Sequence, residues 1–151
     1  MSAALAGADD RVSAALASPA RRNAANAASM VQPLALVVDD SPFLALHLAR
    51  QLDECGFHTQ VPADAAELRA LAPQAALVCV ELEQFHASGF ELTRELAEQC
   101  ACPLVLLTGT GRNTDLQWGR RAGASVVLQR PIRAAMLRAA LAALHDGASA
   151  R

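Results

Sequence analysis

Asp39, Asp40, Glu81, Thr108 and Arg130 each follow a short apolar run, and together they carry the groups best able to do charge chemistry in this chain. Three carboxylates held close together repel one another unless a cation lies among them. Two kinds of cation suit such a cluster: Mg²⁺ held by oxygen ligands, or a protein cation such as Arg130. A plainer reading has Asp39 and Asp40 capping a helix that begins near Pro42, with Glu81 solvated on a loop. His47, His58, His86 and His145 have no spacing suited to metal ligation or to a nucleophile relay, so surface or structural roles are expected of them.

The elements that would position these residues follow from the apolar pattern. From Leu34 onward, short apolar runs alternate with amphipathic stretches of helical period, the signature of successive βα units on a parallel sheet. The pattern predicts strands over 34–38, 58–61, 76–80, 104–107 and 125–128, and helices over 42–55, 64–72, 88–99, 114–122 and 132–145. Ser41-Pro42 supplies a cap and a first-turn proline for the first helix, and Gly56 ends it. Asp64 can cap the second helix, and Gly123 closes the fourth. In an open parallel sheet ligands bind beyond the carboxyl ends of the strands, and there the acids, Thr108 and Arg130 would converge.

Composition sets the outer bounds. The 151 residues, 53% hydrophobic and 19% charged, suffice for one domain with a real core. A formal net charge of −2 leaves no excess positive charge for a phosphate backbone, and 3% aromatics, Trp118 and four Phe, leave little for base stacking. Nucleic acid is therefore not expected as a partner. Residues 1–33 are rich in Ala, Ser and Asn and poor in large apolar side chains; they are expected to be an appended segment with a short helix over 10–17. They lack the features of a signal peptide, and no stretch is long and apolar enough to span a bilayer, so no membrane association and a cytoplasmic location are expected. Residues 34–146 form the expected domain, and 147–151 a tail. Cys55, Cys79, Cys100 and Cys102 have neither a CxxC nor a zinc spacing and read as small hydrophobes.

The motifs VVDDSPF at 37–43, ELEQFHASGFEL at 81–92, LLTGTG at 106–111, AGAS at 122–125 and QRPI at 129–132 fall in an order and spacing that resembles the bacterial response-regulator receiver family. The resemblance covers 34–145. It implies an α/β, flavodoxin-like (βα)5 doubly wound parallel sheet of strand order 2-1-3-4-5. It also implies that Asp39, Asp40 and the backbone carbonyl of Glu83 form a Mg²⁺ site, weakly held or empty, and that Thr108 meets a phosphoryl oxygen. Pro131 stands at the family's basic-residue-proline turn and is a cis-proline candidate.

Three positions depart from the family pattern. Glu81 stands at the phosphoacceptor Asp position, and its extra methylene moves the carboxylate by roughly 1.5 Å, where a misplacement of about 1 Å can cost 10²-fold. Arg130 stands at the Lys position. In a chain whose thirteen cations are all Arg, that change is either drift or a functional pairing in which the guanidinium forks onto Glu81. Val127 stands where an aromatic switch residue is usual, and alone it reads as a β-branched strand residue.

The expected function is that of an atypical stand-alone receiver in two-component phosphorelay signalling, not an enzyme and not phosphorylated on Asp. It would act through protein contacts: with a histidine kinase or downstream effector, or by self-association through the face of helix 4, strand 5 and helix 5. The rival readings are a working Mg²⁺-dependent phosphoacceptor and a metal-dependent phosphoryl hydrolase.

Overall fold

In the computed structural model, which describes residues 31–84 and 88–149, five parallel strands stand in the order β2-β1-β3-β4-β5. They are β1 (Leu34–Val38), β2 (His58–Gln60), β3 (Leu77–Glu81), β4 (Leu104–Thr108) and β5 (Val126–Gln129). Between and after them run α1 (Pro42–Glu54), α2 (Ala65–Leu71) with a 3-10 turn over Ala72–Gln74, α3 (Gly89–Gln99), α4 (Asn113–Ala122) and α5 (Ala134–Ser149). The helix expected over 10–17 and His86 lie outside the described residues.

β3 and β4 are buried at every position because both faces of the sheet are covered, which is why their sequences run apolar without alternation. Odd positions of β1 and β3 (Ala35, Val37, Leu77, Cys79) pack with α1 and α5 around Leu48, Leu52, Phe57, Leu137 and Leu141. Even positions (Leu36, Val78, Val80) pack with Leu68 of α2 and Leu96 of α3 on the opposite face. The period of two along each strand thus sorts the side chains into two cores.

Local chemistry sets the element ends. The Leu44 amide donates to Ser41 Oγ at 3.3 Å, and the Glu67 amide to Asp64 Oδ1 at 2.8 Å, so both expected caps are made. Gly123 ends α4 at φ 114°, a left-handed conformation that suits glycine.

Several boundaries differ from the sequence pattern. β3, β4 and β5 each extend one residue further at the carboxyl end, through Glu81, Thr108 and Gln129, since their backbones continue the ladder with Leu107 and with each other. α5 begins at Ala134 and not at residue 132, because the Ile132 carbonyl accepts from Gln51 Nε2 at 3.0 Å. It also runs to Ser149, taking in residues assigned above to the tail.

Candidate functional site

β1 and β3 are neighbours, and the strand order reverses between them, so the ends of β1, β3, β4 and β5 surround one pocket. Arg130 sits in it immediately after β5. Its backbone amide donates to the Thr108 carbonyl at 2.8 Å, and its peptide bond to Pro131 is cis.

The guanidinium divides its donors between two strands. Nε donates to Glu81 Oε2 at 2.7 Å, and Nη2 donates to Asp39 Oδ2 at 2.6 Å. The side chains of Asp39 and Glu81 are 4% and 6% exposed and that of Arg130 17%, so this bridge lies largely out of water. The direct Glu81–Arg130 contact is made, but as a single arm and not as a two-armed fork. One arm goes to each acid, because Asp39 and Glu81 end adjacent strands and a planar guanidinium can reach both. The remaining oxygens are engaged too: Asp39 Oδ1 accepts the Ser41 amide at 2.8 Å, and Glu81 Oε1 accepts the Glu83 amide at 3.3 Å. Burial raises the Glu81 carboxyl above its ordinary range, opposed by the hydrogen bond and charge of Arg130.

The other expected site residues are placed differently. Asp40 is exposed, whereas the carboxylates of Asp39 and Glu81 both meet the guanidinium. Thr108 is fully buried, and its hydroxyl pairs with the Thr110 hydroxyl at 3.3 Å and accepts the Thr110 amide at 3.2 Å. Thr110 in turn donates to Asp115 in the first turn of α4. Thr110 and Asp115 were not singled out from the sequence; an acid in a first helical turn next to a Thr-Gly-Thr-Gly run was the signal available. Val127 is partly buried in the core on the α3 side, and its Cγ2 would lie 2.8 Å from a Cβ added at Gly119 of α4.

The start of α3 makes a close backbone approach to the end of β3. A Cβ at Gly89 would lie 2.5 Å from Leu82 Cα and 2.7 Å from the Glu81 carbonyl oxygen. Only glycine lets the start of α3 sit so near the end of β3. The Glu83 carboxylate leans over the β4–α4 loop, 3.4 Å from where a Cβ of Gly109 would be.

A divalent cation fits this arrangement poorly. Arg130 already takes the carboxylate oxygens of Asp39 and Glu81 that would face it, and a second positive charge there would meet the guanidinium. Among the described residues no group of three or more His, Cys, Asp or Glu side chains is placed to hold a metal ion. Nor is any described helix long and apolar enough to cross a membrane.

Comparison with known proteins agrees with this architecture. Residues 35–142 match the family described as the response regulator receiver domain. The chain is 32% identical over 102 residues to protein PilH of Pseudomonas aeruginosa, covering 64% of this chain and 84% of PilH. It is 30% identical over 114 residues to the sensor protein EvgS of Escherichia coli K12, covering 74% of this chain but 10% of EvgS. Against the DNA-binding response regulator MtrA of Mycolicibacterium smegmatis it covers 44% of that protein at 32% identity, so the chain spans under half the length of these last two relatives. Among solved structures, a Burkholderia pseudomallei response regulator with a phosphorylated aspartic acid, calcium ion and citrate superposes with a TM-score of 0.67 at 24% identity, covering 79% of this chain and 72% of that one. Vibrio cholerae CheY4 superposes with a TM-score of 0.66 at 24% identity, covering 74% and 98%. The chain therefore belongs to the response regulator receiver domain family of two-component signalling.

Proposed function

We propose that this receiver signals by protein contact without forming an acyl phosphate on Glu81, the Arg130 guanidinium serving as the permanent counter-ion of its acidic pocket. The observation that carries this reading is the buried bridge from Arg130 to both Glu81 and Asp39 at 2.7 and 2.6 Å. An incoming phosphoryl group needs an unencumbered nucleophile and a cation that can follow the transferring charge. Here the acceptor oxygen is already hydrogen-bonded, and the Thr108 hydroxyl is engaged with Thr110. In this reading Mg²⁺ is not a cofactor, and the chain is a binding module rather than an enzyme.

The partner is a protein, either a histidine kinase or a downstream effector, or a second copy of this chain. It meets the face of α4, β5 and α5, where Trp118 is 53% exposed and carries the Arg121 guanidinium 5.7 Å from its ring centroid. Exposed aromatic and Arg side chains side by side are what contact surfaces favour. The proposed setting is the cytoplasm, with residues 1–33 an extension outside the domain.

The test is incubation with acetyl phosphate and Mg²⁺ followed by intact-mass measurement, alongside Mg²⁺ and beryllofluoride titrations read by NMR shifts of the Ser41, Glu83 and Arg130 amides. Unchanged mass and unmoved amides are expected. Stoichiometric, Mg²⁺-dependent labelling that disappears in Glu81→Gln would overturn the proposal and establish a working phosphoacceptor.

A further inference from the structure

The charges of the domain are sorted by half. Residues 34–99, from β1 to the end of α3, hold eleven carboxylates and three Arg, whereas residues 109–145, around α4, β5 and α5, hold six Arg and Asp115 alone. Strand order carries that split into space, because β2 and β5 are the two outer strands, four spacings or about 19 Å apart. On the β5 side, Asp115 is engaged by Thr110, Arg130 by Asp39 and Glu81, and Arg138 lines a cavity with Gln51 and Glu54 of α1. This leaves Arg112, Arg120 and Arg121 at α4 and Arg133 before α5. All four are exposed, and among the described residues none of them is in an ion pair. At the β2 edge the sign reverses. Asp53, near the end of α1, takes the Thr59 amide of β2 at 3.0 Å, and Asp64 and Glu67 stand at the start of α2. These three are exposed too, and among the described residues none is in an ion pair. Each edge also exposes a large apolar side chain, Trp118 at 53% on α4 and Val61 at 43% just beyond β2.

We propose that the partner of the α4 surface is a second copy of this chain docked head to tail, α4 of one copy against the acidic β2 edge of the next, which rests on the contact face assigned above and not on the silence of the acidic pocket.

Symmetry and charge together select this arrangement. A two-fold contact through α4 would set Arg112, Arg120 and Arg121 against their own images, since an isologous interface uses the same patch twice, and like charges so placed repel. A head-to-tail contact sets them against carboxylates instead. The formal net charge of −2 is too small to keep copies apart, so the separation of charge within the chain, not its sum, governs how two copies meet. Trp118 supplies a broad apolar surface for the centre of the contact, with the Arg121 guanidinium 5.7 Å from its ring centroid; Trp and Arg are among the side chains that carry most contact energy. Val61 offers apolar surface on the receiving edge. The complement lies in the same chain, so every copy that offers the basic edge also offers an acidic one. Because the two patches differ, a pair leaves one of each unused and can add further copies.

The experiment is sedimentation velocity on the full-length chain over a concentration series, in low salt and in about 1 M salt, where the Debye length falls to about 3 Å. In low salt the mass should rise with concentration through a pair to larger species, and in high salt the association should weaken at least about tenfold. Two variants then separate the edges. R112Q/R120Q/R121Q removes three charges from α4. D53N/D64N/E67Q removes three from the β2 edge and keeps an acceptor for the Thr59, Glu67 and Ala63 amides. Three exposed pairs are together worth about tenfold in affinity, so each variant alone should associate about tenfold more weakly than wild type. Mixed in equal amounts, the two should form a one-to-one pair of wild-type affinity and nothing larger, because each keeps the edge the other lacks. The wild-type salt series needs no variant, so misfolding of either one leaves it decisive. A monomer at every concentration and salt would overturn the proposal and leave the α4 surface to a different acidic protein. Association indifferent to salt, wild-type association by D53N/D64N/E67Q alone, or a mixture no tighter than its components would each overturn it too. Labelling by acetyl phosphate would strike the reading of the pocket and leave this contact standing.

Discussion

Replacing Arg130 by Met removes the cation and keeps most of the side-chain volume, leaving Asp39 and Glu81 facing each other in a site where they are 4% and 6% exposed. At 2.7 Å, with an effective dielectric constant of about 20, the gross attraction lost to Glu81 alone is about 6 kcal/mol. Desolvation of the ions offsets much of that gain in the folded protein, so the net cost of deleting one buried partner is about 3–5 kcal/mol. A further limit applies, because one carboxylate can escape by protonation. From an ordinary value of 4.5, that escape costs about 3 kcal/mol at pH 7, at about 1.4 kcal/mol for each pH unit. The expected loss for Arg130→Met is therefore about 3 kcal/mol. Glu81→Gln keeps the shape and an acceptor for Arg130 Nε while Asp39 retains the other arm, so about 1 kcal/mol is expected. Once Glu81 is neutral, removing Arg130 strands only Asp39, and the double variant should lose about 2 kcal/mol instead of the sum of about 4. Urea unfolding at pH 7, followed by far-ultraviolet circular dichroism, measures all four corners of this cycle. A coupling below about 0.5 kcal/mol, or a loss under about 1 kcal/mol for Arg130→Met, would refute the buried bridge.

Three other outcomes follow. Because burial raises the folded Glu81 carboxyl above its unfolded value, its stabilising contribution is present below 4.5 and lost as pH rises through the raised value; wild type should gain on Glu81→Gln as pH falls from 7 toward 4.5, and urea midpoints drifting the other way would show a depressed carboxyl. Gly89→Ala would drive a Cβ to within 2.5 Å of Leu82 Cα, so a loss of about 1–3 kcal/mol is expected; a change within about 0.5 kcal/mol would mean that the backbone around Leu82 yields freely. A chain truncated to begin at Gln32 should fold with a stability change within about 0.5 kcal/mol, since the buried apolar core begins at Ala35; a loss above about 2 kcal/mol, well outside the range of a surface change, would make the extension part of the domain.

The sheet was legible because both of its faces are covered, so each central strand is written as an unbroken apolar run between helical stretches. The pattern fell short at strand ends: Glu81 and Thr108 read as loop residues by type, yet their backbones stay in the ladder. Convergence of Glu81 and Arg130 was readable from their positions at strand ends, but the share taken by Asp39 was not. That division depends on where the planar guanidinium lies relative to two strands, and no spacing along the chain encodes it. Nor did spacing distinguish Asp39, which meets Arg130, from its exposed neighbour Asp40. The link from Thr108 through Thr110 to Asp115 needed the loop geometry, since Thr and Asp near a helix start are ordinary capping residues.

Two loop amides depend on the one guanidinium. Ser41 donates to Asp39 and Glu83 to Glu81, and both carboxylates are held by Arg130. Hydrogen exchange at these two positions, far apart in sequence, would then report a single opening: solvent reaches both when the guanidinium withdraws, and neither while it stays. The carboxyl edge of the sheet would breathe as one unit, at a rate set by the residence time of one side chain.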